Sequence, residues 1–470
     1  MFTTRAVPGL ALFPLILFTL QTVKAQVPDL DKELRDRQIQ RLFTAAQLGD
    51  CRELDRLLRL HPELVNASYP YHFSGIHGWT VLHCAVVADD CQLARLLLSR
   101  GADPNSECAT RDRPLHMLQS AKMGRLLLAA GADANGRGAW EERPIHHART
   151  LEIARLLVAH GARVNDQDND WRGSPLHHAC RWKRLRVAQY LLSHGADIAA
   201  KNDWQRTPLH EAAASGDSRI VKLLLHEGAE VNARDEEEYT ALHSACAALS
   251  PLAVDLLLAA GADARAASKS GITPLLWAAA AGEGEADAAA QLAIIEQLVK
   301  HGANLHATNA DGQSALHFAA SEGRLEVVEY LLKQRLSANA KDRLDRTPLH
   351  DAMELHRTIT FGLRGDGSRE VAITRTLIEH GADIKAVAYL EDTEHVGEGD
   401  EVRTIVIRRP VTLRQLAQHK GLDWSPDDEG FNQFPLQGGD VNRMVTQWRT
   451  RNAVKQEFLE MLDQANPGEE

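Results

Sequence analysis

The sequence lacks the short motifs that mark most enzyme families. It contains no G-x-S-x-G, no H-E-x-x-H, no phosphate-binding glycine loop and no dinucleotide fingerprint. The carboxylates between Glu391 and Glu401 are concentrated beside glycines, which is typical of a solvated turn rather than of a paired acid and base. We therefore predict no enzymatic activity.

An excess of basic residues is also lacking, because 64 Asp and Glu outnumber 53 Lys and Arg and leave a formal net charge of -11. Nucleic acid is bound through a basic face, so it is not expected as a partner. An acidic chain has no electrostatic attraction to anionic lipid either. The charge is typical of a soluble protein.

Long hydrophobic runs are missing except at the amino terminus. The run from Val7 to Leu20 follows Arg5 and is shorter than the roughly 20 residues that a membrane-spanning helix needs. Val23-Lys24-Ala25 then places small residues where a signal peptidase cleaves. We predict a signal peptide over residues 1–25, a mature chain that begins at Gln26 without stable membrane insertion, and a periplasmic or secreted location.

Cysteines are few and do not form a C-x-x-C pair, which argues against a zinc or redox motif. An exported protein permits disulfides. Four of the six cysteines lie near the front of the chain, where one disulfide can be accommodated: Cys51, Cys84, Cys91 and Cys108. We expect Cys180 and Cys246, each three residues after a recurring histidine, to be buried and inert.

What the sequence does contain is an internal repeat built on a four-residue segment of the form Thr-Pro-Leu-His. The fourth residues of its nine copies are His83, His116, His146, His177, His210, His243, Leu276, His317 and His350. Five of the eight separations between them are 33 residues, and the others are 30, 31 and 41. A fixed period of this length indicates a stack of supersecondary units rather than one compact core.

A Gly-Ala-Asp element recurs with the same period, and a leucine-rich segment such as residues 220–225 precedes it. With its T-P-L-H signature and a unit of about 33 residues, the chain resembles the ankyrin-repeat family over residues 39–422. Its richness in alanine and leucine and its short fingers resemble bacterial members of the family, and the predicted signal peptide makes it an exported member. The resemblance implies an all-α ankyrin solenoid of about nine repeats with capping units at both ends and β-hairpin fingers between repeats.

Elementary physical chemistry agrees with this repeat. Proline suits the first turn of a helix, the preceding Thr or Ser caps that helix, and the glycine after the second helix suits a left-handed stop. The resemblance implies that the signature histidine ties adjacent turns together. Eight histidines are thereby assigned to structure. His146-His147 and His177-His178 are adjacent pairs that point about 100° apart on a helix, so we predict no metal site and no cofactor.

The ends and the insertions define the remaining organisation. Residues 39–76 form an N-terminal capping helix pair, residues 77–386 form repeats one to nine, residues 387–422 form an extended finger with a degenerate last repeat, and residues 423–470 form a loop and a final helix. Two strands, Val387–Leu390 and Glu401–Ile407, can pair in the finger. Insertions around residues 282–285 and 356–369 are expected as loops between paired helices.

The resemblance places the residue after the signature histidine along a concave groove. This position varies among the repeats, as a selective surface requires, and reads Cys84, Met117, His147, His178, Glu211, Ser244, Trp277, Phe318 and Asp351. Trp277 and Phe318 lie in adjacent repeats and either form an apolar binding centre or pack locally against the enlarged seventh repeat.

Three tryptophans occupy a second surface, since each lies six residues before a signature histidine, at a finger tip. Either they form an exposed aromatic ladder or each lies flat across the neighbouring finger. The predicted binding residues are Trp140, Trp171, Trp182, Trp204, Tyr239, Trp277, Phe318, His147 and His178. We expect an exported scaffold that binds another protein. A self-assembling structural element and an effector delivered to another cell are the alternatives.

Overall fold

Each repeat begins at a helix that its own signature residues cap. In the fifth repeat, Pro208 starts the helix and Thr207 precedes it in extended conformation. The backbone amide of Thr207 donates to Nδ1 of His210 at 3.1 Å, and Nε2 of His210 faces the carbonyl oxygen of Tyr239 in the next finger at 3.1 Å. The imidazole therefore fastens the helix start to the following repeat. All eight signature histidines are buried, which confirms their structural role.

The computed structural model describes residues 30–69, 78–282, 285–354, 368–396 and 403–412, and residue 460. The predicted signal peptide, the final helix and most of the degenerate last repeat lie outside the described residues. The chain divides into two compact units, residues 1–132 and 133–470.

The described part of the first unit contains five α-helices. They are α1 (Leu30–Gln47), α2 (Cys51–Leu60), α3 (Val81–Val87), α4 (Cys91–Ser99) and α5 (Ala121–Ala129). The pair α1 and α2 occupies the predicted N-terminal capping region, and α1 packs on both α2 and α3. Leu42, Leu54 and Leu58 are fully buried and supply the core of this cap.

In the second unit the helices form two rows. One row contains α7 (Pro175–Arg181), α9 (Pro208–Ser215), α11 (Ala241–Ala247), α13 (Pro274–Ala280), α15 (Ala315–Ser321) and α17 (Pro348–Glu354). The other contains α6 (Leu151–Ala159), α8 (Leu185–Ser193), α10 (Ser218–His226), α12 (Pro251–Ala259), α14 (Glu285–Lys300), α16 (Leu325–Lys333) and α18 (Ser368–Glu379). Neighbouring helices of each row pack against each other, so every repeat buries its apolar face on the next.

The two shortest repeats differ from the others at their first helix. Residues Pro114–Met117 of the second repeat and Pro144–His147 of the third form single 3₁₀ turns instead of α-helices. These are the repeats where the signature spacing shortens. Because a 3₁₀ turn needs fewer residues than the α-helix it replaces, the missing residues come out of this helix.

The insertion in the seventh repeat lengthens a helix rather than a loop. Helix α14 has 16 residues, whereas α12 and α16 have 9 each. The buried amide of Gln291 donates to the carbonyl oxygens of Ala278 and Ala281 at 2.9 Å, which holds α14 against the end of α13. The expected loop is wrong for the described part of this insertion. Most of the ninth-repeat insertion lies outside the described residues.

The fingers are tight hairpins rather than extended ladders. In the fifth finger, the amide of Asn202 donates to the carbonyl oxygen of Arg206 at 3.1 Å, and the Asn202 side chain caps the turn. A longer antiparallel hairpin follows the ninth repeat, where β1 (Val387–Val396) pairs with β2 (Arg403–Thr412). Its strands are longer than the sequence predicted, and Val387 pairs with Thr412.

All six cysteines are free thiols, so the disulfide that the sequence permits near the front is not formed. Cys180 and Cys246 are completely buried, as predicted, and burial raises the pKa of both thiols. Burial also raises the pKa of Cys84 to about 12. Within the described residues, no helix is both long enough and apolar enough to span a membrane.

Candidate interaction surface

The finger tips of the second unit are linked in series by backbone hydrogen bonds. The carbonyl oxygen of each tip residue accepts from an amide of the next finger: Trp140 from Asn169, Trp171 from Asp203, Trp204 from Glu236, Glu237 from Lys269, Ser270 from Ala310 and Asp311 from Arg343. The distances lie between 2.6 and 3.0 Å. The tryptophan backbones are therefore held at one side of the unit, whatever their side chains do.

Trp140 is the most exposed of the predicted tryptophans, at 63%. Its backbone is left-handed with φ of 54°, and so is that of Glu141 with φ of 58°. Left-handed residues other than glycine are strained, and a bulky one is rare there. The tip thus presents a large apolar ring to solvent on a strained turn.

Trp171 is buried, at 6% exposure, which makes the predicted three-rung exposed ladder wrong. Its ring stacks on Trp204 with centroids 6.1 Å apart and contacts His178 at 5.1 Å. The guanidinium of Arg181 covers it at 5.4 Å from the ring centroid. This tryptophan lies across the neighbouring finger, which is the packing alternative that the sequence left open.

The finger that carries Trp171 is one residue longer than its neighbours. Its closing hydrogen bond runs from the amide of Asp168 to the carbonyl oxygen of Gly173, whereas the next finger closes between Asn202 and Arg206. A Cβ atom on Gly173 would lie 2.6 Å from the Trp171 ring and 3.1 Å from Oδ2 of Asp168. The glycine and the extra residue together let the indole fold inward.

His178 is also buried, at 2% exposure, so it is not the open groove residue that the sequence predicted. The ring of Trp182 covers it edge-on with centroids 4.8 Å apart, and Trp182 stacks in turn on His147 at 6.2 Å. We call the five rings His147, Trp182, His178, Trp171 and Trp204 the aromatic cluster. It is contiguous, and its exposed members are Trp204 at 45% and Trp182 at 40%, beside half-buried His147.

Two arginines lie over the rings of the cluster, and one of them, Arg181, is paired with a buried carboxylate. Arg184 lies over Trp182 at 4.4 Å, and burial lowers its pKa to about 10. Arg181 pairs with Oε2 of Glu211 at 3.2 Å. Glu211 is the groove residue of the fifth repeat and is buried, which raises the pKa of its carboxyl group. The predicted groove residues of the fourth and fifth repeats, His178 and Glu211, are therefore both buried by aromatic and charged side chains.

The remaining predicted residues lie further along the same unit. Tyr239 and Trp277 are in ring contact at 5.5 Å, and Trp277 is exposed. Phe318 is half-buried in the next repeat. Tyr239 belongs to the repeat before that of Trp277, so this pair forms a second, smaller aromatic patch across two repeats.

Sequence patterns missed the acidic groups under the aromatic cluster. Oε2 of Glu142 lies 2.9 Å from Nε2 of His147, and Oδ2 of Asp168 lies 2.6 Å from Nε2 of His178. Burial alone would raise the pKa of the Glu142 carboxyl group. The hydrogen bond from His147 and the nearby imidazoles have the opposite and larger effect, so the pKa is lowered overall. The one-residue lengthening of the finger before Gly173 is the sequence signal that could have indicated them.

Models of the ankyrin repeat match residues 77–109, 149–192, 176–225, 209–293 and 285–388. Together these matches cover more than half of the 470 residues. The chain belongs to the ankyrin-repeat family. Ankyrin repeats are protein-binding modules and are typically non-enzymatic.

The curated relatives resemble only a few of the ankyrin repeats. The chain is 39% identical over 90 residues to Neurogenic locus notch homolog protein 1 of Danio rerio, 38% over 92 residues to that of Homo sapiens and 38% over 93 residues to the Neurogenic locus Notch protein of Drosophila melanogaster. Each match covers 18% of this chain and 3 or 4% of the relative. The chain thus spans a small fraction of the length of these relatives.

Proposed function

We propose that this ankyrin-repeat protein is an exported, non-enzymatic scaffold that binds a partner protein through the aromatic cluster and the adjacent finger tip of Trp140. The observation that carries the proposal is the exposure of Trp140, Trp182 and Trp204 in three successive repeats of one unit. Exposed tryptophan promotes aggregation and adds little to folding, whereas tryptophan and arginine are the residues most enriched in interface centres.

The surroundings of the cluster support a specific interface. Buried Trp171 and His178 hold Trp204 and Trp182 from below, so the exposed rings start from a fixed arrangement. Preorganised side chains lose little conformational entropy on binding. Lys183 and Arg172 give the rim positive charge, while Glu236 and Glu237 give the next finger negative charge. A partner segment with apolar side chains flanked by acidic ones fits this surface.

Binding is tested with the double variant Trp182→Ala/Trp204→Ala against the matched control Leu252→Ala. Leu252 is a large apolar residue on α12 that is more exposed than either tryptophan, at 69%, and lies outside the aromatic cluster. Chemical crosslinking in the native compartment identifies the partner, and calorimetry with the purified partner measures affinity. We expect the double variant to weaken binding by about 30-fold or more, as truncation of interface centres does, and the control to bind normally.

Equal affinity of the double variant and the wild type would reject this surface. Sedimentation of the purified chain separates the self-assembling alternative, since concentration-dependent association lost in the double variant would make the partner a second copy. Export is a separate part of the proposal and rests on the apolar run ending at Leu20. Amino-terminal sequencing from the native host should begin near Gln26, and recovery of the uncleaved chain from the cytosol would contradict it.

A further inference from the structure

Four ionisable side chains converge beneath the aromatic cluster. Ligand atoms of His146, Asp168 and His178 all lie within 4.8 Å of one another, and all three residues are buried. Oε1 of Glu142 lies 3.9 Å from Nε2 of His178. Glu142 and His146 belong to the third repeat, whereas Asp168 and His178 belong to the fourth, so this group, the His–carboxylate cluster, bridges two repeats.

Hydrogen bonding within the described residues leaves one buried ring nitrogen of this group, Nδ1 of His178, without a partner. The Asp168 side chain is completely buried, and its Oδ2 accepts a hydrogen bond from Nε2 of His178 at 2.6 Å. Nδ1 of His178 is buried and has no hydrogen-bond partner among the described residues. Buried polar atoms are nearly always paired, and an orphan of this kind commonly marks a bound ion or water.

His146 differs from the signature histidines of the next two repeats in the carbonyl oxygen that its Nε2 contacts. In the fourth and fifth repeats, Nε2 of the signature histidine meets the carbonyl oxygen just before the next capping residue, as His210 meets that of Tyr239. Nε2 of His146 instead meets the carbonyl oxygen of Asp166 at 3.0 Å, well before the lengthened finger reaches Gly173. The lengthened finger folds Asp168 inward, next to the two imidazoles.

The charges of the cluster match a divalent cation. Burial favours the uncharged form of both imidazoles, and an uncharged imidazole offers a lone pair to a metal. Two carboxylates then balance a charge of +2. Within the described residues, the Arg184 guanidinium is not paired with these carboxylates: it donates to the carbonyl oxygens of Ala148 at 3.0 Å and of His146 at 3.4 Å.

We propose that His146, Asp168 and His178, with Glu142 as a further carboxylate, bind one divalent transition-metal ion of the zinc type that joins the third repeat to the fourth. Imidazole nitrogen and carboxylate oxygen at about 2.0–2.2 Å are the ligands that zinc takes from such a set. The metal takes the place of the hydrogen bond between Nε2 of His178 and Asp168, and the displaced proton moves to Nδ1 of His178, so that the imidazole stays neutral. His146 exchanges one of its two backbone hydrogen bonds for the metal.

The decisive variant is Asp168→Asn in the full-length chain. Oδ1 of Asp168 accepts from the amides of Trp171 and Gly173 at 3.2 and 3.0 Å, and an Asn side chain keeps these turn contacts and a hydrogen bond to His178. It removes the anionic oxygen that the metal needs. Asp235→Asn is the matched control, because Asp235 caps its own finger in the same way but pairs with Arg206 rather than with an imidazole.

Chelator-treated protein is titrated with ZnCl₂ by calorimetry and with CoCl₂ by visible absorption. We expect one ion per wild-type chain, a cobalt spectrum of low coordination number, and a melting temperature that rises with zinc. Asp168→Asn and Glu142→Gln should weaken zinc binding, the former by at least about 100-fold, without a comparable fall in the melting temperature of the metal-free protein. Asp235→Asn should bind as the wild type does.

Two results would overturn the proposal. One is a wild-type chain that binds neither ion. The other is zinc binding that Asp168→Asn and Glu142→Gln leave unchanged, which would assign it to exposed histidines such as His194 and His226. If Asp168→Asn does not fold, Glu142→Gln alone decides, since Glu142 lies at the edge of the cluster and a Gln side chain can still hydrogen-bond to Nε2 of His147.

Discussion

Trp171 and Trp204 stack with their ring centroids 6.1 Å apart, yet one of the pair is buried and the other faces solvent. Trp171 is enclosed by Trp204, His178 and the Arg181 guanidinium, whereas Trp204 covers it from outside. Equivalent positions in successive fingers therefore have different physical roles, one in packing and one at the surface.

The first prediction separates these two roles by stability. Trp171→Ala leaves a cavity under the finger and should reduce the free energy of unfolding by about 3 kcal/mol or more. Trp204→Ala loses one aromatic contact and should cost only about 1 kcal/mol. Urea unfolding followed by circular dichroism measures both, and equal losses for the two variants would contradict this assignment.

The second prediction concerns the strained backbone of Trp140. Because its φ is 54°, glycine should be favoured over alanine there, and Trp140→Gly should be more stable than Trp140→Ala by about 1 kcal/mol. Trp204 is not among the left-handed residues, so Trp204→Ala should be the more stable member of its own Ala and Gly pair. If urea unfolding shows Trp140→Ala to be more stable than Trp140→Gly, as is expected at Trp204, the Trp140 turn is not strained.

The third prediction is that His243 makes the folded state less stable in mild acid. Burial lowers the pKa of His243 to about 4, against about 6.5 in the unfolded chain. The unfolded chain takes up the proton first as the pH falls, so the folded state loses stability between about pH 7 and pH 4 and no more below that. Between pH 8 and pH 5 this histidine should account for about 2 kcal/mol.

His243→Gln provides the measurement for that prediction. The variant should show a shallower decrease of unfolding free energy with falling pH than the wild type, by the equivalent of one proton. His210 has the same depressed pKa of about 4 and the same environment, so His210→Gln serves as a replicate. Parallel pH profiles for wild type and both variants would mean that these imidazoles titrate normally in the folded state.

The fourth prediction is that Glu211 is a destabilising charge at neutral pH. Burial raises the pKa of its carboxyl group more than Arg181 and Arg206 lower it, and Oε1 has no hydrogen-bond partner among the described residues. A raised folded-state pKa gives stability below the unfolded pKa that is lost as the pH rises through the folded pKa. Glu211→Gln should therefore match or exceed the wild type by up to about 1 kcal/mol at pH 8.

The comparison for that prediction is made at two pH values. The advantage of Glu211→Gln should disappear near pH 4, where the wild-type carboxyl group is protonated and equally uncharged. Arg206→Ala is a useful contrast, because it leaves buried Asp235 without its 3.2 Å partner and should destabilise the protein. Marked destabilisation by Glu211→Gln at pH 8 would show that its ion pairs outweigh its desolvation.

The repeat architecture could be read from the sequence because it depends on local chemistry. Thr207, Pro208 and His210 cap and start a helix using contacts within four residues, and the same segment recurs at a fixed period. Stacking then follows, since no single repeat can bury its apolar face alone. The burial of Cys180 and Cys246 was predictable for the same reason, as their position within the repeat sets their environment.

The candidate site was only half predictable, because it depends on how one finger meets the next. Trp140, Trp171 and Trp204 occupy the same place in the repeat, but of these three fingers it is the one with Trp171 that has the extra residue and Gly173 that let its indole turn inward. His178 and Asp168 are ten residues apart, a separation that matches no ligand motif. Short-range patterns determine which residues recur, whereas the distance between side chains of successive repeats is decided by tertiary packing, where a one-residue change in a finger redirects a whole side chain.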